Sequence, residues 1–89
     1  MPNTPLENWR KQIDDVDNEI ISLLAKRMEI VEKIGKHKKE KNIPLVDNNR
    51  WKLLMKSLLH KAEKLNLSKE LVKDVYDQIL KHALHIEEK

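Results

Sequence analysis

The amino-acid sequence predicts an all-α fold of three helices, one long and two shorter, and three observations carry that expectation. Apolar residues recur at spacings of three and four along nearly the whole chain, which is the pattern of amphipathic helices rather than strands. The composition suits helices and offers little for sheets: among 89 residues there is one Gly, no Phe and abundant Leu, Ile, Val and Met. Two breaks, at Pro44 and at Asn66–Leu67, divide the periodic pattern into three runs.

The first helix is expected over about 5–41. Pro5 fits its opening turn, where the missing N–H costs nothing. Leu6, Trp9, Ile13, Val16, Ile20, Leu23, Leu24, Ile30, Val31 and Ile34 then form a sustained stripe. Gly35 interrupts the helix propensity, at about 1 kcal/mol relative to Ala, without interrupting the pattern. The helix must stop before Pro44, because a residue preceding proline avoids the α region. The second helix is expected over about 48–65, with Asp47 as a cap whose carboxylate accepts from first-turn amides. Trp51, Leu54, Met55, Leu58, Leu59, Ala62 and Leu65 make its apolar face. Ser68 caps the third, over about 69–86, with Leu71, Val72, Val75, Tyr76, Ile79, Leu80, Ala83, Leu84 and Ile86 on its face.

The length of the first helix implies a partner. About 37 residues at ~1.5 Å each span roughly 55 Å, well beyond the ~25 Å expected of a compact domain this size. Two shorter helices cannot cover such a stripe, so a second copy is expected to bury the remainder.

Composition also excludes. With no Cys there are neither disulfides nor thiolate metal sites. No apolar run approaches the ~20 residues of a membrane span and no secretory leader is visible, so a single cytoplasmic domain over 1–89 is the expectation, with no membrane partner. The net charge of +3 mildly favours anionic partners. The charged run Lys36–Lys41 is most simply a solvated face. Nucleic-acid binding would want exposed stacking aromatics, whereas both Trp and the Tyr lie on apolar stripes, so none is expected. His82 and His85 are three apart on one helix but lack a third ligand, and no metal site is assigned. No Ser/His/Asp set or Gly-rich phosphate loop is present.

Placement of the cations is more informative than their number. On a helical wheel with Leu6 at zero, the stripe of the first helix centres near about 310°. Arg27 falls at about 300° and Lys38 at about 320°, inside the stripe, and Arg10 on its edge at about 40°. Arg27 interrupts the seven-residue series Leu6, Ile13, Ile20, Ile34, where an aliphatic residue would fit. Any one such side chain can snorkel or pair with Asp14, Asp17 or a glutamate. Three along one apolar face point instead to an internal anion site, because a buried guanidinium is expensive unless an anion meets it. Arg50, in the first turn after Asp47, can add a fourth.

The ordered segments LENWRKQIDDVDNEIISLLAKRMEIVEKIGKHK and IPLVDNNR, followed by two amphipathic helices, resemble the all-helical class of chorismate mutases from about Leu6 to Glu87. The specific part is Arg10, then LLAKR ending seventeen residues on at Arg27, then IGKxK, then a proline loop leading to DxxR. The resemblance implies an intertwined helical homodimer that rearranges chorismate to prephenate, in aromatic amino-acid biosynthesis, without cofactor, metal or covalent intermediate. It implies that Arg10 reaches from the neighbouring subunit to one substrate carboxylate, that Arg27 holds the other, and that Lys38 contacts the ether oxygen of the breaking C–O bond. Asp47 and Arg50 match positions that help bind the substrate hydroxyl and order the site. A unimolecular rearrangement needs no nucleophile, which agrees with the residues present.

Three positions depart from the commonest form of that pattern. Trp51 stands where many relatives carry a glutamate accepting from the substrate hydroxyl, and here it also starts the apolar stripe of the second helix. Ala83 replaces a frequent serine. Glu87 stands where a glutamine often donates to the ether oxygen, although some relatives use glutamate. An ionised carboxylate cannot donate, so activity is expected to increase as pH falls below neutrality, and Glu87→Gln is expected to flatten that profile. The same cation set would also serve an isochorismate–pyruvate lyase, and a non-catalytic helical dimer is a third reading. For that third reading Arg27→Leu should stabilise the fold.

Overall fold

The structure, a computed structural model, describes residues 4–89. Three α-helices follow in order: α1 over Pro5–Glu40, α2 over Asn48–Lys64 and α3 over Lys69–Glu88. Among the described residues there is no strand, and no helix is long and apolar enough to cross a membrane. The first helix ends one residue short of the sequence expectation and the third runs two residues beyond it.

Each helix starts on a side-chain cap. The Thr4 hydroxyl accepts from the Glu7 amide at 3.1 Å, which places Pro5 at the first helical position, where no N–H is missed. The Asp47 carboxylate accepts from the Arg50 amide at 3.0 Å, and the Ser68 hydroxyl from the Leu71 amide at 3.2 Å. The ends of α1 and α2 share one device. Asn42 and Asn66 adopt left-handed backbone, with φ of 55° and 56°, a conformation asparagine tolerates better than most residues. After α1 the Ile43 amide donates to the Lys38 carbonyl at 2.8 Å, and the Asn42 amide to Lys39 at 3.4 Å. After α2 the Leu67 amide donates to Ala62 at 2.8 Å, and the Asn66 amide to Glu63 at 3.2 Å. These paired bonds satisfy carbonyls the helix itself leaves open. Asn42 therefore ends α1 two residues before Pro44 is reached.

Two compact units divide within α1, after Ile30. In the first, the described residues are a single stretch of helix and none is buried. Leu6, Trp9, Ile13, Val16, Ile20, Leu23 and Ile30 all stand between 47% and 64% exposed. The second unit, Val31–Lys89, holds the core. There α2 packs against α3, and the buried residues are Val31, Gly35, Ala62, Val72 and Ala83. All are small, which lets helix backbones approach closely. Leucines of α2 and α3 such as Leu54, Leu58, Leu80 and Leu84 are half-buried around them.

Candidate functional site

Lys38 lies in the last turn of α1, and its ammonium makes two contacts. Nζ donates to the Leu45 carbonyl at 2.8 Å and pairs with Glu87 Oε1 at 3.3 Å. The turn at Asn42 makes the first contact possible, since it folds the connector back toward the helix it has just left. The second joins residues 49 positions apart and ties the end of α3 to the end of α1.

Burial separates this ion pair from the others. The side chains of Lys38 and Glu87 are 19% and 11% exposed, whereas those of Lys36–Glu32, Lys69–Glu63 and Lys81–Asp77 are all 49% or more exposed. Exposed pairs of that kind contribute little. A largely desolvated pair costs solvation to form and is strongly coupled to any further charge or donor nearby.

Gly35 lies one turn before Lys38 and is buried. A Cβ added there would stand 2.9 Å from the Glu87 Cα, so α3 passes α1 at a point where only glycine leaves room. Ala83, one turn before Glu87, is also buried. The segment after Asn42 contributes an open cleft of about 420 Å³ lined by Ile43, Pro44, Val46, Asp47, Asn48 and Asn49.

Of the residues singled out in the sequence, the structure brings Lys38 and Glu87 into direct contact, and Asp47 Oδ1 onto the backbone amide of Arg50. Arg50 is exposed, and Trp51, expected to open the apolar stripe of α2, is 41% exposed in the single chain. Arg10 and Arg27 belong to the unit ending at Ile30, where Arg10 is exposed and Arg27 half-buried. Two features escaped the sequence reading, the Leu45 carbonyl as a partner for Lys38 and Gly35 as the point of close approach. A signal for the second was present, since a lone glycine in a helix interior, three residues before a lysine in the stripe, asks for a packing reason.

Chemically, the pair is a donor, Lys38, held by two acceptors, the Leu45 carbonyl and the Glu87 carboxylate. An ammonium has three N–H groups, and Leu45 and Glu87 engage two. With Glu87 ionised the pair is electrically neutral. The remaining N–H of Lys38 can donate to a further oxygen.

Comparison with known proteins gives this geometry a context. The family described as chorismate mutase type II matches residues 9–88. The chain is 32% identical over 78 residues to the T-protein of Haemophilus influenzae, covering 88% of this chain and 21% of that protein. It is 30% identical over 87 residues to the bifunctional chorismate mutase/prephenate dehydratase of Buchnera aphidicola subsp. Acyrthosiphon pisum, covering 98% of this chain and 23% of that one. Over 77 residues it is 25% identical to the chorismate mutase of Methanocaldococcus jannaschii, covering 86% of this chain and 78% of the other. The chain thus spans about a fifth of the length of the first two relatives.

Proposed function

We propose, on the premise that the chain belongs to the chorismate mutase type II family, that it catalyses the rearrangement of chorismate to prephenate as a homodimer. The observation that supports this reading is the largely buried Lys38–Glu87 ion pair, which holds a lysine ammonium out of bulk water at the end of α1. In the reaction the ether C–O bond breaks as a new C–C bond forms within one molecule, so no nucleophile or cofactor is required. Catalysis then comes from holding the enolpyruvyl group over the ring and from stabilising charge on the ether oxygen. Lys38 donates to that oxygen, and protonated Glu87 donates beside it. Arg27 holds one substrate carboxylate, and Arg10 reaches the other from a second copy of the chain. Asp47 and Arg50 order the connector and the hydroxyl end of the substrate. Trp51 and Ala83, unlike the glutamate and serine common at those positions, offer that end no equivalent polar side chain.

The dimer is supported by the first unit. Eight large apolar residues there, Ile21 among them, are 47% or more exposed, and an apolar surface of that length in water awaits cover. In the proposed assembly the second copy covers it, and the helices intertwine.

The test is incubation of the purified protein with chorismate and, separately, isochorismate. Prephenate from chorismate is the expected result. Salicylate plus pyruvate from isochorismate would identify a lyase on the same cation set, and turnover of neither would leave a non-catalytic helical dimer. A carboxyl donates only when protonated, so kcat should rise as pH falls below neutrality. Glu87→Gln, which donates at every pH, should flatten that slope. A slope that Glu87→Gln leaves unchanged would remove Glu87 from the mechanism.

A further inference from the structure

Gly35 is the chain's one glycine, and it sits inside a long helix, where glycine is a poor choice on propensity alone. Its surroundings supply the reason. A Cβ built there meets Glu87 Cα at 2.9 Å and Glu87 Cβ and Cγ at 3.3 Å, so all three of the nearest atoms belong to Glu87. The closest is a backbone atom, which no rotamer change can move aside. Non-bonded carbons settle at ~3.5 Å or more, so a methyl group at position 35 forces the helices apart by roughly half an ångström.

That displacement falls where it matters. Lys38 is three residues after Gly35 and shares its face of α1. Its contact with Glu87 is already 3.3 Å, at the long end of hydrogen-bond range. We propose that Gly35 is a positioning residue: its missing side chain admits α3 closely enough for Glu87 to reach Lys38, and so sets the spacing of the two donors on the ether oxygen. The catalytic half of this proposal rests on the mutase reading above, while the positional half rests on distances alone.

A role through Glu87 differs measurably from a role in packing alone. The full-length Gly35→Ala, Glu87→Ala and double variants should be compared with the wild type in chorismate turnover, together with a crystal structure of Gly35→Ala. Gly35→Ala is expected to lower kcat about tenfold or more, because a misplaced donor weakens the transition state. KM should change less than about threefold, because the substrate carboxylates are gripped elsewhere. In the Glu87→Ala background the same change should alter kcat by less than about twofold, since residues acting through one contact are not additive. The Lys38–Glu87 separation in Gly35→Ala should lengthen from 3.3 Å to roughly 3.8 Å, beyond hydrogen-bond range.

Losses in kcat that multiply in the double variant, or a pair that stays closed with wild-type kcat, would overturn the proposal. If the wild type does not turn over chorismate, the functional reading fails and the catalytic half with it, and the measured separation alone decides the positional half. Should Gly35→Ala not fold, Gly35→Ala/Glu87→Gly is the next variant. Glycine at 87 removes the Cβ and Cγ that crowd position 35 and lets the backbone there shift by about half an ångström, so recovery of wild-type helicity is expected, and failure to recover it counts against Glu87 as the obstacle.

Discussion

One helix carries the same apolar periodicity through two units, yet the two treat it differently. From Val31 onward, residues of α1 enter a core with α2 and α3, and Val31 and Gly35 are buried. From Pro5 to Ile30 a stripe just as regular has no buried member, and Trp9 and Leu23 are 59% and 64% exposed. Local sequence is the same kind in both, so periodicity alone does not decide burial. Cover decides it, and the first unit lacks cover of its own. The electrostatics divide the same way. The second unit contains the largely buried Lys38–Glu87 pair, whereas Arg10 in the first is exposed.

The sharpest way to break the second unit's site without touching the first unit's stripe is Lys38→Ala. It removes a donor from the ether oxygen and leaves Glu87 without its ion-pair partner. The expected loss is about 10²–10³ in kcat, the usual cost of deleting one preorganised donor, read from initial rates of chorismate disappearance. Sedimentation should show the assembly state unchanged.

The converse experiment breaks the stripe and spares the site. Ile20 is 47% exposed in the single chain, so a monomer would tolerate Ile20→Asp within about 0.5 kcal/mol. If a second copy covers it, the substitution buries a charge and removes apolar contact on both sides. The expected cost is then at least about 3 kcal/mol per dimer. Dissociation in sedimentation equilibrium and a lowered, concentration-dependent Tm would register it. A smaller effect separates the two asparagine turns. Asn42→Ala and Asn66→Ala should each lose about 1 kcal/mol to left-handed backbone strain, measured by urea unfolding. Only Asn42→Ala should also lower kcat, because its turn carries Leu45 to Lys38.

Much of this architecture is legible in the sequence because helix periodicity is local. Three helices, the Asp47 and Ser68 caps and the break after α2 all follow from residues within a few positions of one another. What escaped is long-range or hidden in small residues. Pro44 sets the limit of α1 in the sequence, but Asn42 closes the helix first with the same bonds as Asn66. Thr4 went unread as a cap because Pro5 already explained the start. Gly35 counted as a propensity defect, although its purpose is contact with a residue 52 positions away that no local pattern reports. Among the site residues, the wheel picked out Lys38 and resemblance supplied Glu87, but their mutual ion pair was not foreseen. Trp51, at the start of the α2 stripe, is 41% exposed in the single chain, so its place in the pattern does not by itself fix its burial.

A site completed by two copies is tested directly by subunit complementation. Arg10→Ala and Lys38→Ala should each be nearly inactive alone. Mixed in equal amounts and allowed to exchange, they should recover about a quarter of wild-type activity, because half the dimers are mixed and a two-fold dimer then has one intact site of two. A mixture no more active than the average of its two components, after exchange has been verified by mass, would contradict a shared site.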